Sequence, residues 1–393
     1  MGKKFLFIVQ GEGRGHMTQA IIFEQLLREK GHEVSAVIIG TSRRRKIPEY
    51  VDRAFGCRLH KIQSPNFLTD KGNKRVRIGA TLFGNLGRLP VFLKSLKCIN
   101  QLVHEHRPDC IVNFYDLLGG IYMGIYRPDA KTMVIGHQYL ASHRDFTFAK
   151  PGGLLKSLFR INTKITSLGA DKTIALSLWE PEPQSAPSGL LVWPPLIKAG
   201  VKSTGPVSGD YYLVYIVNSG YAREIFDLAK RFPEIKIEAF WDEKEMPERY
   251  QPLANLIFHQ VDDHLFLEKL SGCKAYLSTA GFESIAEALY LGKKILVVPV
   301  EGQYEQKCNS LDAERSGAGI AAGSFDLPLL GHYLKNHSET DDVSRKFRAW
   351  ESTLDAHFHK LMVWLESEDE KTVKKGYRIL AMKNNPLASS FSK

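Results

Sequence analysis

Short, continuous apolar runs alternate along this chain with stretches in which apolar positions return every three or four residues. The runs are KKFLFIV near the start, EVSAVIIG, CIV at 110–112 and TMVIG, then DYYLVYIVN, AYLS and ILVVPV in the second half. A run that is apolar at every position is a strand covered on both faces, the habit of parallel sheets flanked by crossover helices. The intervening helical stretches, such as the one with Ile21, Ile22, Leu26 and Leu27, supply those crossovers. The pattern predicts an α/β protein. It breaks at EPEPQSAPSG and WPP, where Pro181, Pro183, Pro187, Pro194 and Pro195 interrupt regular structure. The expected organisation is a first domain over 1–180, a linker over 181–208, a second domain over 209–342, and helices with a polar tail over 343–393. In that last part Phe347, Trp350, Leu354, Phe358, Leu361 and Trp364 recur near the helical period. A chain of 393 residues, 44% hydrophobic and 24% charged, is long enough for two cores.

The densest chemistry lies in STAGFESIAEALYLGKKILVVPVEGQYEQKCN, Ser278 to Asn309. AYLS reads as a strand, and Thr279, Ala280 and Gly281 as a turn too small to keep an anion from the backbone. A helix starting near Phe282 would aim its free N–H groups and positive dipole end at that turn, which suits a diphosphate; Thr279 and Ser284 add hydroxyls. Glu283 and Glu287 are one turn apart on one helix face, and a carboxylate there is placed to accept hydrogen bonds from a ribose diol. Beyond ILVVPV, the side chains of Glu301, Gln303, Glu305, Gln306 and Asn309 suit sugar hydroxyls.

This segment resembles the donor-binding segment of GT-B glycosyltransferases of the UDP-sugar type. Those nearest in pattern are family 28, which includes the lipid II-forming N-acetylglucosaminyltransferase, and the plant UDP-glycosyltransferases. Those families carry His or Arg, then x-Gly, x-x-Ser-x-x-Glu, and later Pro, an Asp/Glu-Gln pair and Asn. The matching positions are Thr279, Gly281, Ser284, Glu287, Pro299, Glu305, Gln306 and Asn309. The resemblance implies that Gly281 and Ser284 hold the diphosphate, Glu287 the ribose, and Glu305 with Gln306 the transferred sugar. Thr279 stands where the families have a cation, so leaving-group stabilisation must come from elsewhere. The resemblance further implies two Rossmann-like domains facing a cleft, final helices that cross back to the first domain, and inversion at the anomeric carbon. It also identifies Asn218, Ser219 and Gly220 as the glycine loop that approaches the diphosphate, and Val261 as the backbone contact to the base. Asp262 reads equally well as a helix N-cap.

At the N-terminus the first strand runs into GEGRGH and then a helix. A dinucleotide-binding motif would place a third glycine where His16 stands and an acidic residue after the second strand. Thr41, Ser42, Arg43, Arg44 and Arg45 follow that strand instead, which argues against NAD and leaves NADP formally open. A helix start favours a neutral imidazole, so His16 can act as a base. In the resembling families this Gly-His lies on the acceptor side, with Gly13 and Gly15 as its neighbours here. A base of this kind needs a carboxylate to hold its tautomer. The strand Cys110 to Val112 ends in Asn113, Phe114, Tyr115 and Asp116, and either Asn113 or Asp116 can occupy the partner position. His137 and Gln138 follow TMVIG at the same sheet edge.

The net charge is +10, yet residues 1–100 alone carry 19 Lys/Arg against 7 Asp/Glu. The excess is interleaved with apolar residues in Lys74 to Lys97 and Lys150 to Arg160, as suits anionic lipid headgroups at a bilayer interface. A core helix with solvated lysines explains the same pattern. No helix-turn-helix, RNP or zinc-finger pattern is present, which excludes nucleic acid as the expected partner. The five cysteines show no CxxC pair, no apolar run is long enough to span a bilayer, and no metal-ligand spacing occurs.

The expectation is a glycosyltransferase with His16 and Asp116 as the catalytic candidates. A UDP-sugar is its substrate, no metal or cofactor is needed, and the acceptor is open, a membrane lipid among the candidates. Its expected place is the cytoplasm, with peripheral contact at the inner membrane face. Two alternatives remain: a UDP-N-acetylglucosamine 2-epimerase on the same fold, or an inactive nucleotide-sugar or lipid-binding scaffold.

Overall fold

A computed structural model describes residues 2–42, 47–65, 87–182, 186–205, 207, 209–216, 219–243, 245–336 and 340–367. The arginines at 43–45, the segment 66–86, Pro183, Asn218 and the tail beyond 367 lie outside the described residues. The chain divides into two compact units, Met1–Ser352 and Thr353–Lys393.

The first unit holds two seven-stranded sheets. The first contains β1 (Lys4–Gln10), β2 (Glu33–Thr41), β3 (Leu59–Gln63), β4 (Cys110–Phe114), β5 (Lys131–Gly136), β6 (Lys172–Leu176) and β7 (Leu190–Trp193), in the order β3-β2-β1-β4-β5-β6-β7. Every pair in it is parallel, and β1, β4 and β5 are buried along almost their whole length, which is why their sequences are apolar at successive positions. The second contains β8 (Tyr211–Tyr215), β9 (Lys236–Trp241), β10 (Arg249–Leu253), β11 (Leu256–Gln260), β12 (Ala275–Ser278), β13 (Lys294–Val297) and β14 (Gly319–Ala321), in the order β10-β11-β9-β8-β12-β13-β14. Only its edge strand β10 runs antiparallel.

In each sheet the strand order reverses once, between β1 and β4 and between β8 and β12. Ligands bind beyond the carboxyl ends of strands at such switch points. The helices that position the site are α1 (Arg14–Glu29), α2 (Glu49–Ala54), α3 (Leu89–His106), α4 (Leu117–Tyr126), α5 (Gly153–Thr166) and α6 (Ala199–Ser203). In the second half they are α7 (Ala222–Arg231), α8 (Asp263–Gly272), α9 (Phe282–Tyr290), α10 (Tyr304–Arg315), α11 (Leu327–Asn336) and α12 (Thr340–Glu351). Each sheet has its own core, one around Leu6, Ile8, Ile38 and Ile111, the other around Val214, Ala239, Leu277 and Leu296. A smaller cluster of Ala149, Phe159, Tyr304 and Cys308 joins α5 to α10.

The chain passes from the first sheet to the second through Trp193–Ile197, five successive buried residues that include Pro194 and Pro195. It returns through α12, where Arg348 donates to Tyr290 O on one side and Trp350 Nε1 to Ser177 O, 3.0 Å away, on the other. The helical period that looks continuous from 342 to 364 is broken at Ser352 and Thr353, between α12 and the helix of the second unit, Leu354–Glu366. That helix sets Leu354, Phe358, Leu361 and Leu365 along one face. The five cysteines are unpaired.

Candidate active site

Both switch points open onto one cleft of about 390 Å³ within the first unit. One wall is the start of α1 with the ends of β4 and β5; the other is the start of α9, the start of α10 and the residues before α8. Of the expected site residues, Gly13, Gly15, His16, His137, Val261, Gly281, Ser284, Glu287, Glu305 and Gln306 line it, whereas Asn113, Asp116, Thr279 and Gly220 do not.

On the first wall, Gly13 is the N-cap of α1 and has open space around it. Gly15 differs: a Cβ there would displace the carboxylate of Glu283, which reaches across from α9. Glu283 Oε1 also accepts from Gln19 Nε2 at 2.5 Å. Between these helix starts lies a run of near-parallel rings. Tyr115 and His16 stack with centroids 5.4 Å apart, His16 and His137 at 6.5 Å, and His137 and Phe282 at 4.5 Å with planes 4° apart. Tyr115 holds its place with φ of 60°, a left-handed conformation that costs a non-glycine residue about 1–3 kcal/mol.

Gln138 Nε2 lies 3.2 Å from His16 Nε2 and donates to Glu305 Oε1 at 3.1 Å. With the amide donating to both, the lone pair of His16 is on Nε2 and its hydrogen on Nδ1. His16 Nδ1, His137 Nδ1 and Gln138 Oε1 are all buried without a hydrogen-bond partner.

The two imidazoles differ in charge. Burial lowers the pKa of His16, a shift that the carboxylates of Glu283 and Glu305 only partly offset. Burial also opposes the charged form of His137, but Glu305 Oε1 lies 3.1 Å from its Nε2 and outweighs burial, so its pKa is raised. Burial likewise pushes Glu305 up, and His137 more than compensates, leaving it below the ordinary range.

Asp116 is not the partner of His16. It is the N-cap of α4, accepting from Leu118 N at 2.9 Å and Gly119 N at 3.1 Å, and its other oxygen packs against Gly40. Burial pushes its pKa up to about 6. Asn113 is equally engaged, donating to Asp116 O and Thr166 O and accepting from Asp116 N. Both candidates stabilise the β4–α4 turn, and the side chain beside His16 is the amide of Gln138.

On the second wall, Ala280 turns the chain with φ of 37°, and Gly281 is the N-cap of α9. A Cβ on Gly281 would meet only Ser284 Oγ, at an ordinary 3.5 Å, so its smallness serves the space in front of the helix. Ser284 Oγ donates to Gly281 O at 3.3 Å, Asn309 donates to Ala280 O at 3.0 Å, and Gln306 Oε1 accepts from Val300 N at 2.8 Å. Thr279 departs from expectation: at the end of β12 it is wholly buried, so its hydroxyl is not offered to the cleft. Ser219 and Gly220 form a 3-10 turn before α7, and Gly220 is not among the lining residues. Val261 lines the cleft, and Asp262 caps α8 by accepting from Leu265 N at 2.7 Å.

Glu287 faces the cleft from α9, and its pKa is raised by burial despite a cation beside it. That cation is Lys198, whose Nζ lies 3.5 Å from Glu287 Oε1 and 3.8 Å from Asp263 Oδ1. Sequence reasoning placed Lys198 in a linker and missed it; the signal was a lone lysine directly after the apolar run WPPLI. Arg14, 3.7 Å from Asp242 across the cleft, was missed inside a motif read for its glycines. Among the described residues no group of three or more His, Cys, Asp or Glu could hold a metal ion.

Two switch-point sheets around one cleft make up the GT-B fold. The chain belongs to glycosyl transferase family 1, which matches residues 3–337. No curated protein matches it by sequence. Among solved structures it is similar to LpCGTa in complex with UDP, with TM-score 0.65 and 13% identity over 94% of this chain and 100% of that one. It is also similar to Phytolacca americana UGT2 complexed with UDP-2fluoro-glucose and pterostilbene, with TM-score 0.59 and 12% identity over 97% and 99%. A third is the spinosyn rhamnosyltransferase SpnG complexed with thymidine diphosphate, with TM-score 0.55 and 15% identity over 90% and 96%. At these identities the likeness is one of fold.

Proposed function

We propose that the protein transfers a sugar from a UDP-sugar to an acceptor hydroxyl with inversion at the anomeric carbon. The observation that carries this reading is the pairing, in one cleft, of an imidazole whose pKa burial lowers with the small-residue start of a helix of 9 residues. The acceptor hydroxyl takes the place of the Gln138 amide at His16 Nε2. Its oxygen bonds to the anomeric carbon as the bond from that carbon to the diphosphate breaks, and His16 receives the proton. The N–H groups opening α9, with Ser284, face the charge that develops on the departing diphosphate. Glu287 accepts from the ribose hydroxyls, backbone groups near Val261 meet the base, and Glu305 with Gln306 contacts the transferred sugar. No step calls on a metal or a cofactor.

The acceptor is a lipid, and the enzyme works from the cytoplasm against the inner membrane face. Helix α5 supports this: Leu155, Leu158, Phe159 and Asn162 face the cleft, while Leu154 and Ile161, 65% and 54% exposed, point outward beside Arg160 and Lys164. Leu89 and Leu93 of α3 are similarly exposed, at 56% and 52%. Among the described residues no helix is long and apolar enough to cross a membrane.

Thermal unfolding of the protein and of Glu287→Ala with UDP, UDP-glucose, UDP-galactose, UDP-N-acetylglucosamine, dTDP and NADPH tests the donor site. A ligand at a hundred times its Kd stabilises by about 2.7 kcal/mol. Stabilisation by uridine nucleotides that vanishes in the variant is expected; a response to NADPH alone, or to none, ends the reading. Epimerised donor from UDP-N-acetylglucosamine without an acceptor would replace transfer with epimerisation.

A further inference from the structure

Among the described residues facing the cleft are six carboxylates and only two permanent cations, Arg14 and Lys198. A diphosphate brings at least two further negative charges, and a helix start offers only about half a unit of positive charge. Thr279, at the end of β12, is uncharged and wholly buried. Arg14 stands 3.7 Å from Asp242 on the opposite wall. Lys198 is already on α9: its ammonium rests 3.5 Å from Glu287, five residues and about 7.5 Å of helix rise from Phe282.

We propose that Lys198 is the cation of the donor diphosphate, released from Glu287 when the ribose diol takes its place. This rests on the reading of the second wall as the nucleotide-sugar site. The exchange conserves partners. Without donor, the buried carboxylate of Glu287, 6% exposed, is neutralised by the ammonium, and Asp263 holds the same ammonium from the other side. With donor, two ribose hydroxyls satisfy Glu287, and the lysine's charge passes to phosphate oxygens one helical turn nearer the start of α9. The move is within reach of a flexible four-carbon stem whose backbone is fixed. Lys198 caps α6, and the five residues before it are buried. A burial-raised pKa at Glu287 is the expected mark of a carboxylate that needs a partner at all times.

The device makes a distinction between ligands. A nucleoside must displace the lysine and offers no phosphate in return, whereas a nucleoside diphosphate gives the lysine a new partner. Titration calorimetry with UDP and with uridine reads this directly. In Lys198→Met, UDP should bind at least tenfold more weakly, while uridine stays within threefold or tightens; Lys198→Arg should keep UDP within threefold. Because Lys198→Met leaves Glu287 buried without a cation, Lys198→Met/Glu287→Gln is measured beside it, and its UDP-to-uridine affinity ratio should be reduced as well. A ratio equal to that of the wild-type protein in both variants would overturn the proposal while leaving the donor site standing. Failure of the wild-type protein to bind UDP would instead overturn the donor site itself, and the role of Lys198 with it.

Discussion

On the wall built from the first sheet, the helix after β1 opens with Gly13, Arg14, Gly15 and His16; on the wall built from the second, the helix after β12 opens with Gly281, Phe282, Glu283 and Ser284. Both follow a buried parallel strand at a switch point, and both begin at a glycine with extended backbone. One carries imidazoles and aromatic rings, the other carboxylates. Neither wall sets its own charge. His16 and His137 belong to the same wall and stack 6.5 Å apart, yet their pKa values move in opposite directions, because Glu305 of the other wall lies against only one of them. Pairs of groups pushed apart in this way are the usual mark of divided acid and base roles.

Removing the neutral imidazole is the strongest way to break this division. His16→Ala should lower the rate of transfer about 10²–10⁴-fold while UDP binding, read by thermal shift, stays unchanged; equal rates would move the base elsewhere. The opposite wall is broken by Glu287→Ala, which removes charged hydrogen bonds of about 1.5–3 kcal/mol. Nucleotide affinity should fall at least tenfold with no change in the fold read by circular dichroism.

Glu305→Gln sharpens the comparison between the two imidazoles. His137 has its pKa raised above 6.5, so its share of the pair's stabilisation is complete below pH 6.5 and is lost as pH rises through the folded value. Glu305 has its pKa lowered from 4.5, so its share is present above pH 4.5 and is lost as pH falls through the folded value. The stability difference between wild type and Glu305→Gln should therefore be largest between pH 4.5 and 6.5. It should reach only about 1 kcal/mol, since the Glu305 side chain is 36% exposed and solvent screens the pair. A difference independent of pH would deny the pairing. The smallest effect belongs to the outer face of α5: Lys164→Ala should cost about 1 kcal/mol of affinity for phosphatidylserine vesicles, and unchanged sedimentation with vesicles would remove α5 from the membrane contact.

The division between walls also explains what the sequence could reveal. Strand and helix identity were legible because β1, β2 and β5 are apolar at successive positions and the helices are periodic, and the α9 start was legible because turn, hydroxyl and carboxylates are adjacent in the chain. The partner of His16 was not. Asp116 has the right residue type at the right strand end, but a residue just ahead of a helix is also an N-cap, and the backbone N–H groups of Leu118 and Gly119 claimed it. Gln138 beside His16, Glu305 beside His137 and Lys198 beside Glu287 are pairs separated by 89 or more positions, and no local pattern announces them.

The two crossings between the sheets have a mechanical consequence. The Trp193–Ile197 connector is buried throughout and stiffened by two prolines, so it acts as a strut, and α12 is pinned to Tyr290 at one end of its grip and to Ser177 at the other. Contacts beside the cleft add to them, with Tyr304 of α10 donating to Ala149 O at 2.8 Å and Trp179 Nε1 to Asp312 Oδ1 at 2.7 Å. Glu305 of the second wall lies against His137 and accepts from the Gln138 amide beside His16, so any separation of the walls would take the carboxylate from the surroundings of both imidazoles at once.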